Sequence, residues 1–400
     1  MLDQLRGAAL LGILLVNIEL MRGPGLWEAL AGQTTAPAGA DRITSFLVGW
    51  LASGKFVSSF ALLFGVGAAM LVARAERHGI SPARLLARRY AMLAVLGLAH
   101  ALLLFAGDIL LLYALTGFVL LLFLPARPRT QAWTGAALIA GSALLGAASA
   151  GLSALVPAAA GGTGGADDPL TAGIEGFFAG RAEATTAAFT TGGPGEVLTA
   201  RAIEAAVVQA GQAIGLPWIL GLFLLGMAAT RAGIVADLAG HRPLLRRAAG
   251  IGLGLGLIVN LPLGFAGPLG LSAGTGADAP GPLLAAAASL AEFAGAPLLA
   301  IGYLAAHALL ALRFGTWGPL VAVGRMALTA YLAQSVVAAV VFVGLSTYGT
   351  WTATSALLVV AGTWVLLLLA CPLWLRWFRF GPVEWLWRAW TYRERPPLRR

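Results

Sequence analysis

Charged residues are scarce in this chain. Of its 400 residues, 11% are charged and 59% are hydrophobic, whereas a soluble domain carries about 25% charged residues. That deficit excludes a surface facing water on all sides. Cysteine is almost missing, and Cys371 alone excludes an intrachain disulfide and a thiolate metal site. The four histidines, His78, His100, His241 and His307, share no metal-ligand spacing. There is no GxxxxGK[ST] phosphate loop, no HExxH and no CxxC. The stretch GIGLGLGL lies inside an apolar run and is no dinucleotide fingerprint. An ATP-driven pump, a redox carrier and a metal enzyme are left without support. Lysine is reduced to Lys55, and the other 25 basic residues are arginines.

What is abundant is oil, with a mean hydropathy of +0.85. Repeated apolar runs of roughly 20 residues each suffice to cross a ~30 Å hydrocarbon core. The expectation is an all-α polytopic integral membrane protein of about ten spans. These lie near 4–21, 55–74, 86–106, 108–125, 132–157, 212–231, 247–267, 282–312, 319–345 and 354–375. Residues 2–21 read as a retained first span rather than a signal peptide, because no small-residue cleavage site follows and Asn17 interrupts the run.

The net charge of +9 does not mark a nucleic-acid binder, because most of the arginines sit between or beyond the apolar runs. Placing the arginine-rich connections on the cytoplasmic side puts 21 basic residues inside and five outside. Both termini are then cytoplasmic, in a multi-pass membrane protein. Residues 41–53 are too short and mixed to cross, and predict an amphipathic helix on the outer surface. Residues 158–211 form one large external segment between membrane domains 1–157 and 212–400. It opens on a Gly/Ala/Asp linker, becomes weakly helical near Glu175 to Arg201, and could cap a cavity. The Trp- and Arg-rich tail after Gly381-Pro382 predicts an interfacial helix.

Against this background the stretch GLAHALLLFAGDILLLYAL, residues 97–115, carries two ionisable groups. An ionisable group deep in hydrocarbon costs several kcal/mol unless paired or wetted, so it faces the bundle interior. Helical rise places His100 roughly 15 Å in and Asp108 roughly 27 Å, with Asn17 about 18 Å and Glu292 about 13 Å deep in their own spans. Gln334 comes to mid-depth beside Tyr331. Asn17, His100, Glu292, Tyr331 and Gln334 are therefore expected to line one polar cavity, with Asp108 at its outer rim. Each also has a plainer role. His100 can bond a neighbouring helix, Asn17 and Gln334 can glue helices together, and Asp108 can cap the helix that follows it. Eight residues on one helix separate His100 from Asp108 by roughly 12 Å, so direct contact is not expected unless the helix breaks at Gly107. The glycines at 250, 252, 254 and 256 read as a close helix contact.

Several stretches resemble the YeiB family of bacterial inner-membrane proteins, which carry the domain of unknown function numbered 418. They are LDQLRGAALLGILLVNI, KFVSSFALLFGVGAAM, GLAHALLLFAGDILLLYAL, VGRMALTAYLAQS and GPVEWLWRAWTY. Ala330 stands where the family usually has Asn, and residues usually precede the opening motif. The resemblance implies a multi-helix fold distantly similar to integral-membrane acyltransferases of the heparan-glucosaminide acetyltransferase type. Such proteins share an Asp-x-x-Arg-Gly opening and an intramembrane His or Asn. On that likeness the donor is acyl-CoA, its phosphates held by Arg88, Arg89 and Arg325, and the acceptor is a small molecule or glycan. His100 serves as general base or acyl carrier, Asn17 stabilises the oxyanion, and Asp108 shapes the outer site. The alternative is a transporter, or a transport-associated protein, with Glu292 and His100 in a proton-linked relay.

Overall fold

A computed structural model describes residues 1–33, 36–159, 169–268 and 281–400. Among the described residues the chain is all-α, and no sheet forms. The first half supplies α1 (Leu2–Met21), α2 (Gly25–Leu30), α3 (Gly39–Leu51), α4 (Lys55–Arg77), α5 (Pro82–Leu103), α6 (Leu110–Leu120) and α7 (Pro128–Ala159). Two helices, α8 (Pro169–Thr190) and α9 (Pro194–Ala213), then lead into α10 (Leu216–Arg231), α11 (Arg242–Val259) and α12 (Leu261–Ala266). The last third comprises α13 (Pro282–Leu290), α14 (Ala296–Phe314), α15 (Gly318–Arg325), α16 (Ala327–Ala338), α17 (Ala353–Trp377) and α18 (Pro382–Tyr392). Proline stands in the first turn of many of these helices, including α5, α9, α10, α11, α14 and α18. A first-turn proline lacks only an N–H that would be unpaired anyway, and its fixed φ starts the helix.

Among the described residues, seven helices are long and apolar enough to cross a membrane, or eight if the α9–α10 pair, bent by 60°, is one span. This defines a multi-pass membrane protein. The stretch 108–125 yields only α6 and a 3-10 turn, Leu121–Phe123, short of the roughly 20 residues a span requires. In α11 the first two turns carry Arg242, Arg246 and Arg247. The ten expected runs thus do not all become helices of spanning length. Leu144, Leu145, Leu358 and Leu369 are exposed on α7 and α17, which suits helices whose outer face meets lipid rather than water.

The main core gathers Leu10, Tyr90, Tyr113, Phe223, Leu320 and Tyr331 from six helices. Toward the other end, Leu14, Ile18, Phe105, Phe189, Phe342 and Tyr348 form a second core. Of the four glycines in α11, Gly252 meets Gly302 and Gly256 meets Leu299 on α14, while Gly250 and Gly254 face open space. Residues 41–53 do form a short separate helix, α3, and the tail forms α18. The segment read as weakly helical is two full helices, α8 and α9, and most of its glycine-rich start lies outside the described residues.

Three features position the site. Helix α5 stops at Leu103, and residues 104–109 turn back on it before α6 starts. Helix α16 begins afresh after a break at Met326, whose φ of −111° and ψ of 31° are not helical. Helix α9 braces the 104–109 turn, since Gln209 Nε2 donates to the carbonyls of Ala106 at 3.0 Å and Asp108 at 2.8 Å.

Candidate functional site: a buried Asp–His–Ser array below an arginine chamber

His100 is 2% exposed and Asp108 fully buried. Because α5 ends three residues after His100, the turn folds Asp108 back, and its Oδ1 lies 2.7 Å from His100 Nδ1. This corrects two expectations. The residues touch, because the 12 Å estimate carried a helical rise through residues that are not helical. Asp108 is not at an outer rim but sealed in the interior. Its capping role stands beside the contact, as Oδ2 accepts from the Leu111 N–H at 2.8 Å. Gly97 makes room for this, because a Cβ there would meet Leu111 N and come within 2.8 Å of Asp108 Oδ2.

The second ring nitrogen of His100, Nε2, lies 2.9 Å from Ser335 Oγ on α16. Ser335 is 1% exposed and had not been singled out. A serine in an apolar helix gives no sequence signal, because it ordinarily bonds its own backbone one turn back. Tyr331, one turn before Ser335, sets its ring 5.0 Å from the imidazole. Its buried hydroxyl has no hydrogen-bond partner and lies near the Asn17 side chain and the Ile109 backbone. Tyr331 therefore lies beside His100, and Asn17 beside Tyr331. Gln334 faces α1 instead, donating to the Leu10 carbonyl at 3.2 Å with Oε1 left unpaired.

Glu292 stands apart. It lies in a π-helical turn, Ala291–Gly295, against Gly54, where a Cβ would meet Oε1 at 2.8 Å. Nearby Lys55 is fully buried and donates to the Gly49 carbonyl at 3.1 Å. No hydrogen bond or ring contact joins Glu292 to His100 among the described residues.

At the end of the bundle that gathers both terminal segments lies a chamber of about 630 Å³. Seven arginines line it (Arg6, Arg74, Arg77, Arg89, Arg325, Arg379 and Arg388) against two carboxylates, Asp3 and Glu384. Deeper in, Leu93, Leu110, Tyr113 and Leu328 line its apolar part. Of the three arginines proposed for phosphate binding, Arg89 and Arg325 line the chamber and Arg88 does not. Both chamber acids are already engaged. Asp3 pairs with Arg6 at 2.9 Å. Glu384 accepts from the Leu328 and Thr329 N–H groups at 2.6 and 2.9 Å, capping α16 from α18. Burial pushes the Glu384 carboxyl up from the usual carboxylate range, against the Thr329 and Leu328 hydrogen bonds that pull it down. Helix α18 is pinned further by Trp387, which donates to the Arg89 carbonyl at 2.9 Å and lies 3.5 Å beneath the Arg89 guanidinium.

At the opposite end a second polar cluster joins α2, α8, α9 and the 345–351 turn. Arg201 and Glu204 approach at 3.6 Å, Arg201 lies 4.5 Å over Phe189, and Tyr348 packs on Phe189 at 4.9 Å. Among the described residues, six buried atoms here lack a hydrogen-bond partner: Trp27 Nε1, Arg181 Nε, Thr185 Oγ1, Arg201 Nε, Glu204 Oε2 and Tyr348 Oη. Among the described residues, no group of His, Cys, Asp and Glu is arranged to hold a metal ion.

Fold and site thus define a multi-pass helical membrane protein with a hydrogen-bonded Asp–His–Ser array inside the bundle. A family profile described as "Protein of unknown function (DUF418)" matches residues 229–394. The chain is 30% identical to "Uncharacterized protein YeiB" of Escherichia coli (strain K12), covering 99% of this chain and 97% of that one. It is 29% identical to "Uncharacterized protein YxaH" of Bacillus subtilis (strain 168), over 99% and 95% of the two chains. The chain belongs to the YeiB (DUF418) family. No solved structure matches it.

Proposed function

We propose that this protein transfers an acyl group from a cytoplasmic thioester donor to an acceptor reaching the array from the other side of a bacterial inner membrane. The observation that carries this reading is the His100 array. A neutral imidazole held by a carboxylate on one nitrogen and facing a hydroxyl on the other is the arrangement a general base needs. The chamber supplies what an anionic donor requires. Seven guanidinium groups exceed two already engaged carboxylates, and phosphates favour bidentate arginine contacts. By the positive-inside rule this end is cytoplasmic, with both termini. Acyl-CoA fits as donor, with Arg89 and Arg325 on its phosphates and its thioester arm extending past Leu93 and Leu328. The acceptor, a small molecule or glycan, approaches from the α8–α9 side. In proteoliposomes, His100→Ala should lower acyl transfer by at least about 100-fold without weakening acyl-CoA binding. Unchanged turnover would end the proposal.

A second reading, proton-coupled transport, draws on Lys55 and Glu292, since buried ionisable groups away from the array suit a proton path. It calls for uptake of a labelled solute driven by a pH gradient and indifferent to CoA.

A further inference from the structure

We infer that Ser335 is the nucleophile that carries the acyl group between donor and acceptor, so that transfer runs in two steps. The inference rests on the acyl-transfer reading and adds a covalent stage to it. Asp108 selects the tautomer. In the neutral imidazole a carboxylate 2.7 Å from Nδ1 places the proton on that nitrogen, which leaves the Nε2 lone pair to accept from the Ser335 hydroxyl at 2.9 Å. The bond therefore points the way that activates a nucleophile.

Several hydroxyls on other helices behave differently. Ser58, Thr186, Thr230 and Thr363 each donate to the carbonyl four residues back, at 2.6 to 2.9 Å. Ser335 forgoes that bond and spends its hydroxyl on His100. It also lies beyond the inner end of the chamber. Leu93 and Leu328 line the chamber, and His100 and Ser335 lie seven residues further along the same two helices, roughly 10 Å deeper. The unpartnered Tyr331 hydroxyl and the Asn17 side chain beside it supply donors for the oxyanion of the tetrahedral intermediate.

The steps balance. As Ser335 Oγ bonds the thioester carbonyl carbon, its proton passes to His100 Nε2. The C–S bond breaks and the leaving sulfur takes that proton, giving a free thiol and an oxygen ester on Ser335. An acceptor hydroxyl then gives its proton to Nε2 as its oxygen attacks the ester carbon. Ser335 Oγ leaves and recovers the proton.

The test uses the full-length protein in nanodiscs, a fluorophosphonate probe and radiolabelled acetyl-CoA, with adducts located by peptide mass spectrometry. The expected result is one adduct, on Ser335, with both reagents. His100→Ala should lower its rate of formation by at least about 100-fold, and Ser335→Ala should abolish it while thermal stability and acyl-CoA binding hold. In Ser335→Cys the acetyl adduct should become a thioester, cleaved by neutral hydroxylamine where the serine ester resists. A serine that merely positions the imidazole would give none of these signatures. Fluorophosphonate labelling of Ser335 without acyl-CoA binding supports the serine and removes the proposed donor. Acyl-CoA binding and His100-dependent transfer without any Ser335 adduct overturns the serine and leaves the transfer standing.

Discussion

Two polar clusters lie within one bundle, and they differ in how completely they are bonded. Around His100, both Asp108 oxygens, both imidazole nitrogens and the Ser335 hydroxyl have partners between 2.7 and 2.9 Å. Around Arg201, six buried atoms have none, and the ion pair stretches to 3.6 Å. A buried polar group left unpaired costs about 1–3 kcal/mol, so the second cluster is the more expensive, the first having one such atom beside it, the Tyr331 hydroxyl. A preorganised array suits a reacting centre, because its dipoles need no rearrangement as charge develops. An unfinished cluster suits a place that solvent or an arriving molecule completes.

The contrast can be broken by substitution. The largest effect is expected at Asp108. Asp108→Asn preserves size but offers the imidazole the wrong partner, and transfer in proteoliposomes should fall about 10³–10⁴-fold. Gly97→Val comes next, since its side chain would strike Leu111 N and Asp108 Oδ2. Thermal unfolding in detergent should show a loss of about 2–3 kcal/mol, as overpacking does, together with loss of activity. Glu384→Gln removes the charge from the α16 cap, worth about 1–2 kcal/mol. Limited proteolysis should show faster cleavage of the tail, with a small drop in unfolding temperature. The smallest effect belongs to the incomplete cluster. Arg201→Met with Glu204→Leu should change stability by no more than about 1 kcal/mol, or raise it, because poorly paired buried charge gives little back. A severe loss there would show that the two clusters are equally built in.

The sequence disclosed the class and only part of the site. Apolar runs and scattered arginines sufficed for a multi-pass helical protein, because bilayer thickness fixes span length whatever the packing. His100 stood out because hydrocarbon makes an ionisable residue conspicuous. What failed was geometry along one dimension. Depth in a span says nothing of the direction a side chain faces, so Glu292 was grouped with His100 although it lies against Gly54. The His100–Asp108 contact depended on where α5 stops. Gly107 hinted at a break, but helical rise alone could not locate it at Leu103. Ser335 was invisible for a different reason, since its partner lies 235 residues away and only folding reveals that its hydroxyl leaves its own helix. The α16 cap was hidden likewise, with Glu384 reaching back 56 residues to Leu328.

That long separation also dictates when the Asp108–His100–Ser335 array can exist. His100 and Asp108 enter the membrane early in synthesis, yet the hydroxyl they orient arrives only with α16, and α16 is seated by a carboxylate made later still. Until then the imidazole lacks its Ser335 partner. The hydrogen-bonded array is complete only once Glu384 of α18 caps α16.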